Sequence, residues 1–257
     1  MKIVILAGGF GTRLTEETEN KPKPMVEIGG RPILWHIMKN YAHYGFKEFV
    51  IAMGYKADVI KKYFVEYANL SGNLTVEISK GTSRVIQREQ DEWIIHLEDT
   101  GLHSGTGGRV KQLSRWIDSG TFMITYGDGV SNVPIDKLLA FHKQHGKLAT
   151  LTAVRPPARF GGLCINEKNM VTNFTEKPQA GEGWINGGFL VLEPPALEYI
   201  QNSTSSLEME ALDQLARENQ LAAFCHDGFW QCMDTLRDLK YLESLWSSGD
   251  APWKVWA

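Results

Sequence analysis

A glycine-rich turn that directly follows the first apolar strand constrains this chain more than any other feature. Residues 2–7 read Lys-Ile-Val-Ile-Leu-Ala, a short apolar run typical of a central parallel strand. Gly8, Gly9 and Gly11 follow at once. Such a turn lets backbone N–H groups converge on phosphate oxygens. The sequence therefore predicts a nucleotide site at the end of the first strand of a parallel sheet.

The familiar phosphate-binding fingerprints do not fit this turn. The dinucleotide motif needs a third glycine where Leu14 stands, and a Walker loop needs Gly-Lys-Ser or Gly-Lys-Thr. The turn instead continues into Arg13, and ten residues later Lys23 stands between Pro22 and Pro24. The two prolines restrict the backbone and so hold that amine in place. The segment predicts a phosphate site with two fixed cations and argues against an NAD-dependent dehydrogenase.

Hydrophobic periodicity in the first half alternates between strands and helices. Further strands are predicted over residues 48–53, 74–79 and 121–126, and helices over 32–44, 57–67, 109–117 and 134–145. Alternating β and α elements pair their strands in parallel. We therefore predict the α/β class, with a Rossmann-like, mixed but mainly parallel sheet flanked by helices.

The pattern changes in the second half, where short predicted strands are separated by turn residues. Strands are predicted over residues 148–154, 162–166, 171–175, 221–225 and 229–233, and helices over 208–219 and 235–246. The strands over 162–166 and 171–175 form a predicted hairpin. Because the chain has no internal repeat and no linker, we predict a single domain over 1–257 with β-rich insertions in its second half.

Composition excludes several classes of protein. The chain has 257 residues, of which 43% are apolar and 22% charged, as in an ordinary globular protein. Its 27 basic and 30 acidic residues give a formal charge of −3, which argues against a nucleic-acid partner. No apolar run approaches the roughly 20 residues that span a bilayer, so we expect no membrane association. Three cysteines, odd in number and read as buried thiols, point to a reducing compartment, the cytoplasm.

The glycine-rich turn and the lysine ten residues after its arginine resemble the signature of the sugar-1-phosphate nucleotidyltransferases. The residues that match this signature are Gly-Gly-Phe-Gly-Thr-Arg-Leu at 8–14 and Lys-Pro-Lys-Pro at 21–24. Three later segments are similar to family motifs: Tyr-Gly-Asp-Gly at 126–129 to the strand-end aspartate, Phe-Thr-Glu-Lys-Pro at 174–178 to the sugar-phosphate motif, and Met-Asp-Thr at 233–235 to the second metal aspartate. Within the family, the chain most resembles the glucose-1-phosphate cytidylyltransferases.

This resemblance implies a reaction and a set of residues. The fold would be the nucleotide-diphospho-sugar transferase type, with nucleotide binding in 1–146 and sugar-phosphate binding and oligomerisation in 147–257. The substrates would be CTP and glucose 1-phosphate, Mg²⁺ the cofactor, and the protein a homo-oligomer feeding dideoxysugar synthesis for surface polysaccharide such as O-antigen. The implied catalytic residues are Arg13, Lys23 and Lys177; the nucleotide contacts Leu6, Ala7, Gly8, Gly9, Phe10, Gly11, Thr12, Arg13, Lys23, Ser104, Arg109 and Asp128; the sugar-phosphate contacts Glu176, Lys177, Asn186 and Gly187; and the metal ligands Asp128 and Asp234.

The preference for cytosine can be argued from hydrogen-bond chemistry. Cytosine presents adjacent acceptors at O2 and N3, whereas uracil has a donor at N3, and an arginine can only donate. Arg109, with help from the Ser104 hydroxyl, is the predicted reader of that edge. Two alternatives stay open: the same reaction with UTP or dTTP, and a nucleotide-sensing subunit of this fold without turnover. The charged residues Arg13, Lys23 and Asp128 are all present, which argues against the second alternative.

Overall fold

A computed structural model shows a central sheet of eight strands, drawn from both halves of the chain. It describes residues 1–70, 72–86, 91–117, 120–156, 162–165, 170–175 and 183–256. The strands are β1 (Lys2–Leu6), β2 (Glu27–Ile28), β3 (Arg31–Pro32), β4 (Glu48–Met53), β5 (Asn73–Glu77), β6 (Thr82–Ile86), β7 (Ile94–Asp99), β8 (Phe122–Tyr126), β9 (Gly129–Ser131), β10 (Ala149–Val154), β11 (Gly162–Ile165), β12 (Val171–Thr175), β13 (Ile185–Asn186), β14 (Leu190–Leu192), β15 (Leu221–His226) and β16 (Trp230–Cys232).

Helices connect these strands. The α-helices are α1 (Thr15–Thr18), α2 (Ile33–His43), α3 (Ala57–Leu70), α4 (Thr106–Gln112), α5 (Ser114–Ile117), α6 (Ile135–His145), α7 (Asp213–Arg217) and α8 (Leu236–Ser247). Short 3₁₀ segments cover Lys23–Met25, Ile78–Lys80 and Pro194–Tyr199, and a π-helical segment covers Leu207–Leu212. No helix in the described part of the chain is long and apolar enough to cross a membrane.

The central sheet is mixed but mainly parallel. Strands β7, β4, β1 and β8 lie side by side and are all parallel. Next to β8 comes β14, which is antiparallel to both β8 and β10. The short strand β13 pairs with the edge of β10 that also pairs with β14, and β15 runs parallel to β10 along its other edge. This confirms the predicted α/β class, and the division at residue 146 stays a prediction.

Both faces of the sheet are covered, which explains the unbroken apolar run of β1. Ile3 and Ile5 pack on one face with α2, α3, α6 and α8. Val4 and Leu6 pack on the other face with α4, α5, α7 and the π-helical segment. A strand buried on both sides needs no polar residues in alternate positions.

Two predicted elements of the first half are present but differ from their prediction in pairing or bounds. The predicted strand over 74–79 corresponds to β5, which pairs antiparallel with β6 in a separate hairpin, and the place beside β4 is taken by β7. The helix predicted over 109–117 begins at Thr106 and is divided into α4 and α5. Gly107 and Gly108 let the start of α4 pack closely on residues 203–207, because a Cβ at Gly108 would lie 1.9 Å from the Ser203 carbonyl oxygen.

The second half matches its prediction in most elements. The hairpin of β11 and β12 is present, although its turn lies outside the described residues. The helix predicted over 208–219 is a π-helical segment followed by α7. Cys225 is exposed, so the prediction of a buried thiol is wrong there.

The buried residue His36, which packs against Trp253 of the C-terminal segment, makes the stability of the fold depend on pH. The Nε2 atom of His36 bonds to the carbonyl of Ile28 (2.8 Å), and Trp253 donates to its Nδ1 (3.3 Å), so the ring is neutral. Burial lowers the pKa of His36 from 6.5 to about 4. Between these values the unfolded chain binds the proton more tightly, so this contribution to stability is complete above pH 6.5 and is lost as pH falls towards 4.

We expect the replacement His36→Gln to reduce the pH dependence of folding. The free energy of unfolding of the unaltered protein should fall by about 2 kcal/mol more than that of the variant between pH 7 and pH 5. Urea unfolding at both pH values measures this difference. Equal pH dependence in the two proteins would contradict the assignment.

Candidate active site

An open cleft of about 440 Å³ lies where the parallel strands β1 and β8 end. Ligands of open α/β sheets bind at this edge, outside the carboxyl ends of the strands. Every predicted nucleotide contact lines the cleft: Leu6, Ala7, Gly8, Gly9, Phe10, Gly11, Thr12, Arg13, Lys23, Ser104, Arg109 and Asp128. The structure therefore brings together residues that are more than a hundred positions apart in the sequence.

The glycine-rich turn forms one wall of the cleft. Neighbouring side chains leave no room for a side chain at Gly8 or Gly11. Gly11 has a φ of +65°, and a Cβ there would lie 2.9 Å from the Thr18 side chain. The Thr18 hydroxyl bonds to the carbonyls of Gly11 and Leu14, which fixes the turn against α1. A side chain at Gly8 would overlap the Arg109 guanidinium. The turn is thus held from both sides.

Lys23 lies between two carboxylates at the base of the cleft. Its Nζ is 2.7 Å from Asp128 Oδ2 and 2.5 Å from Asp234 Oδ1. The pairing of β9 with β16 brings the two aspartates together, and the Met233 amide donates to the Asp128 carbonyl at 2.8 Å. Asp128 and Asp234 are 106 positions apart in the sequence, and the structure confirms that folding brings both of them to Lys23.

Burial and charge act in opposite directions on this cluster. Burial lowers the pKa of Lys23, but Asp128 and Asp234 outweigh it, so the net shift is upward. Burial raises the pKa of Asp234, but Lys23 and Arg13 outweigh it, so the net shift is downward. Burial, followed by the two aspartates, raises the pKa of Cys232 to about 12. Lys23 and Asp234 are therefore charged at neutral pH, and the thiol of Cys232 beside them is protonated.

Arg13 reaches the same cluster from the open side. Its guanidinium is 2.6 Å from Asp234 Oδ2, and its side chain is 76% exposed. Among the described residues Asp234 is its one carboxylate partner, and so exposed a cation can accept a new anionic partner at low cost.

Arg109 lines the cleft, and its guanidinium is also hydrogen-bonded within the protein. It is buried, and its Nη atoms donate to the carbonyls of Gly8 (3.0 Å), Met53 (3.0 Å), Gly101 (2.7 Å) and Leu102 (3.3 Å) and to the Thr100 hydroxyl (2.8 Å). Direct pairing with a base would require some of these bonds to break. The arrangement favours a role in holding the glycine-rich turn to the ends of β4 and β7, and the contact with the base stays a prediction.

Ser104 is engaged in a similar way. Its hydroxyl bonds to the Thr100 carbonyl (2.5 Å) and to the Gln112 amide (3.1 Å). It lines the cleft beside His103, whose ring centroid is 6.0 Å from that of Phe10, another lining residue.

The sugar-phosphate side is described in part. Glu176 and Lys177 lie outside the described residues. Asn186 donates from Nδ2 to the Tyr126 hydroxyl (3.3 Å) and accepts from the Gly188 amide (3.0 Å). The Gly187 carbonyl accepts from the Trp230 indole (2.8 Å).

Sequence reasoning missed several residues that line the cleft or support it. Tyr126 belongs to a predicted motif that assigns it no role, and no sequence pattern indicates a role for Thr106 or Glu208. Tyr126 and Thr106 line the cleft, and both donate to Glu208. No spacing in the sequence distinguishes Glu208 from Glu210, because both lie on the same short segment.

Comparisons with known proteins agree with this geometry. The sequence model of the family described as "Nucleotidyl transferase" matches residues 2–246, and the chain belongs to that family. It is 51% identical over its full length to the full-length glucose-1-phosphate cytidylyltransferase of Salmonella typhi. It is 40% identical, again over both full lengths, to a Bacillus subtilis (strain 168) protein named "Probable glucose-1-phosphate cytidylyltransferase". The structure of HddC from Yersinia pseudotuberculosis complexed with GMP-PN is 25% identical with a TM-score of 0.65, covering 95% of this chain and 99% of that one.

Proposed function

We propose that this chain transfers a cytidylyl group from CTP to α-D-glucose 1-phosphate, giving CDP-glucose and pyrophosphate. The observation that carries the proposal is the position of Lys23, whose Nζ contacts Asp128 and Asp234 at the end of the glycine-rich turn. Full-length relatives at 51% identity carry the name of this activity. The site and the relatives thus support the same reaction.

The chemistry requires charge and position more than proton transfer. An oxygen of the sugar phosphate attacks the α-phosphorus of CTP, and the bond from that phosphorus to the pyrophosphate oxygen breaks. A phosphomonoester has a second pKa near 6, so the nucleophile is already largely a dianion at pH 7. No general base is needed to generate it, and the protein mainly aligns the reactants and stabilises negative charge.

The cations have separate roles in this proposal. Lys23 binds oxygens of the α-phosphoryl group, and Arg13 binds the departing pyrophosphate. Both are bonded to carboxylates at the cleft, so an incoming phosphate exchanges one anionic partner for another. Lys177 binds the sugar phosphate, and Glu176 accepts hydrogen bonds from sugar hydroxyls.

The donor set fits Mg²⁺ as a further proposal. Mg²⁺ prefers one or two carboxylates plus phosphate oxygens and keeps several waters. Asp128 and Asp234 supply two carboxylates that a single cation, the Lys23 ammonium, already contacts. Among the residues that the structure describes, no group of three or more His, Cys, Asp or Glu could hold a metal, so the substrate would complete the coordination. When bound there, Mg²⁺ would neutralise charge on the triphosphate.

The setting of the reaction is also proposed. The chain would act in the cytoplasm as a homo-oligomer, and its product would feed dideoxysugar synthesis for surface polysaccharide. The proposal of a cytoplasmic location rests on two features of the sequence: the odd number of cysteines, and apolar runs that are all much shorter than a membrane span.

The test is pyrophosphate release with glucose 1-phosphate and Mg²⁺, run in parallel with CTP, UTP, dTTP, ATP and GTP. We expect release with CTP that depends on added glucose 1-phosphate. Faster release with UTP or dTTP would keep the mechanism and contradict the choice of base. No release with any of the five nucleotides would overturn the proposed function.

A further inference from the structure

Glu208 is a partly buried carboxylate that the proposed mechanism does not use. Its Oε2 accepts hydrogen bonds from the hydroxyls of Thr106 (2.6 Å) and Ser206 (2.8 Å), and its Oε1 accepts from Tyr126 (2.5 Å). Burial raises the pKa of Glu208, but these donors outweigh it, so the net shift is downward. An ionised carboxylate accepts only, and all three hydroxyl protons therefore point at it.

This carboxylate sets the direction of a chain of hydrogen bonds. Since the Tyr126 hydroxyl donates to Glu208, it presents lone pairs to Asn186, whose Nδ2 donates to it at 3.3 Å. The Asn186 Oδ1 then accepts from the Gly188 amide at 3.0 Å. A flipped Asn186 amide would place its NH₂ group against the Gly188 N–H, donor against donor. The Gly188 amide and the Tyr126 hydroxyl, whose proton is directed by Glu208, together hold Asn186 in this orientation.

The chain of bonds connects Thr106 and Tyr126, which line the cleft, with Asn186. Tyr126 lies two residues before Asp128 and lines the cleft, as does Thr106 at the start of α4. Asn186 and Gly187 are the predicted sugar contacts. Gly188 packs on Tyr126 so closely that a Cβ there would lie 2.9 Å from the tyrosine ring. Glu208 acts behind these residues, through its contacts with Tyr126 and Thr106.

We propose that Glu208 is a positioning residue that orients Tyr126 and Asn186 for the sugar phosphate. The inference rests on the proposed function, since it assigns Asn186 to the binding of glucose 1-phosphate. Glu208 sets affinity and alignment for the sugar and contributes little to binding of the nucleotide.

The replacement Glu208→Gln tests this assignment. A glutamine has one carbonyl oxygen, which will face the side with two donors, Thr106 and Ser206. Its NH₂ group then faces Tyr126, whose hydroxyl must accept and turn its proton towards Asn186, where a donor already lies. We expect the KM for glucose 1-phosphate to rise about tenfold and the KM for CTP to change less than about twofold.

Two further variants separate positioning from a general structural effect. Tyr126→Phe removes the hydroxyl that links Glu208 to Asn186 and should raise the same KM. The double variant should then be no worse than the more impaired single variant, because both changes break one path. Glu210→Gln is the matched control: this exposed carboxylate lies on the same segment and accepts from the Ser206 amide at 3.0 Å, and both KM values should stay unchanged.

Calorimetric binding of glucose 1-phosphate and of CTP to each variant makes the test independent of turnover. An equal rise in both KM values, additive effects of the two changes, or unchanged affinity of Glu208→Gln for glucose 1-phosphate would overturn the positioning role. If Glu208→Gln does not fold, as judged by thermal unfolding, Tyr126→Phe decides the question by itself. Absence of pyrophosphate release by the unaltered protein would overturn the proposed function, and the calorimetric comparison would still decide the role of Glu208.

Discussion

Replacing Lys23 by alanine is expected to lower kcat/KM for pyrophosphate release on the order of 10²–10³-fold. The Nζ of Lys23 is held within 2.7 Å of Asp128 and 2.5 Å of Asp234, so its position is fixed before any phosphate arrives. Its removal also leaves two carboxylates facing each other without the cation they share. Steady-state kinetics at saturating glucose 1-phosphate measures the effect.

Lys21 provides a matched control for this prediction. It belongs to the same Lys-Pro-Lys-Pro run and pairs with Glu17 at 3.7 Å, and the two side chains are 32% and 35% exposed. Pairs that water still reaches contribute about 0–1 kcal/mol to stability, so Lys21→Ala should change kcat/KM less than about twofold. Comparable losses in the two variants, or more than a tenth of the activity left in Lys23→Ala, would contradict the role given to Lys23.

Replacing Arg109 by methionine should lower the free energy of unfolding by about 3–5 kcal/mol. Methionine fills much of the volume but leaves the oxygens that the guanidinium bonds without their donor. Arg115→Met is the matched control, because Arg115 follows on α5, is 66% exposed and bonds only to Glu98 among the described residues. We expect less than about 0.5 kcal/mol for that variant.

Urea unfolding and CTP titration together distinguish two roles for Arg109. A positioning role predicts loss of stability together with weaker binding of every nucleotide, because the Gly8 carbonyl loses its support. A direct contact with the base predicts normal stability and loss of discrimination between CTP and UTP. The second outcome would restore the role predicted from the sequence.

The parts of the fold that the sequence predicts well are the longer strands buried on both faces, whereas the buried three-residue strand β14 was not predicted. The strand at 48–53 was predicted with the bounds of β4, whose residues from Phe49 onwards are all buried. The edge strand β7 was missed because its run, Ile-Ile-His-Leu-Glu-Asp, mixes polar residues into a partly exposed strand. The run at 74–79 has strong β propensity, but propensity does not determine the partner of a strand.

The candidate site shows the same division between local and distant information. The glycine-rich turn and Lys23 are close in sequence, and their meeting at one edge of the sheet could be predicted. Asp234 could be placed there only through the family resemblance, since the pairing of β9 with β16 brings it to Lys23. Glu208 carried no signal, because its importance lies in hydroxyls from three separate segments.

The antiparallel strand β14 has a consequence for dissecting the molecule. Its residues bond to β8 from the first half and to β10 from the second, with Leu190 opposite Ile124 and Leu192 opposite Ala149. A fragment that ends at His145 would leave the apolar strand β8 with a bare edge, a template for aggregation. Separate expression of the two halves should therefore give insoluble pieces. The halves can be exchanged between relatives only if the pairing of β14 with β8 and β10 is preserved.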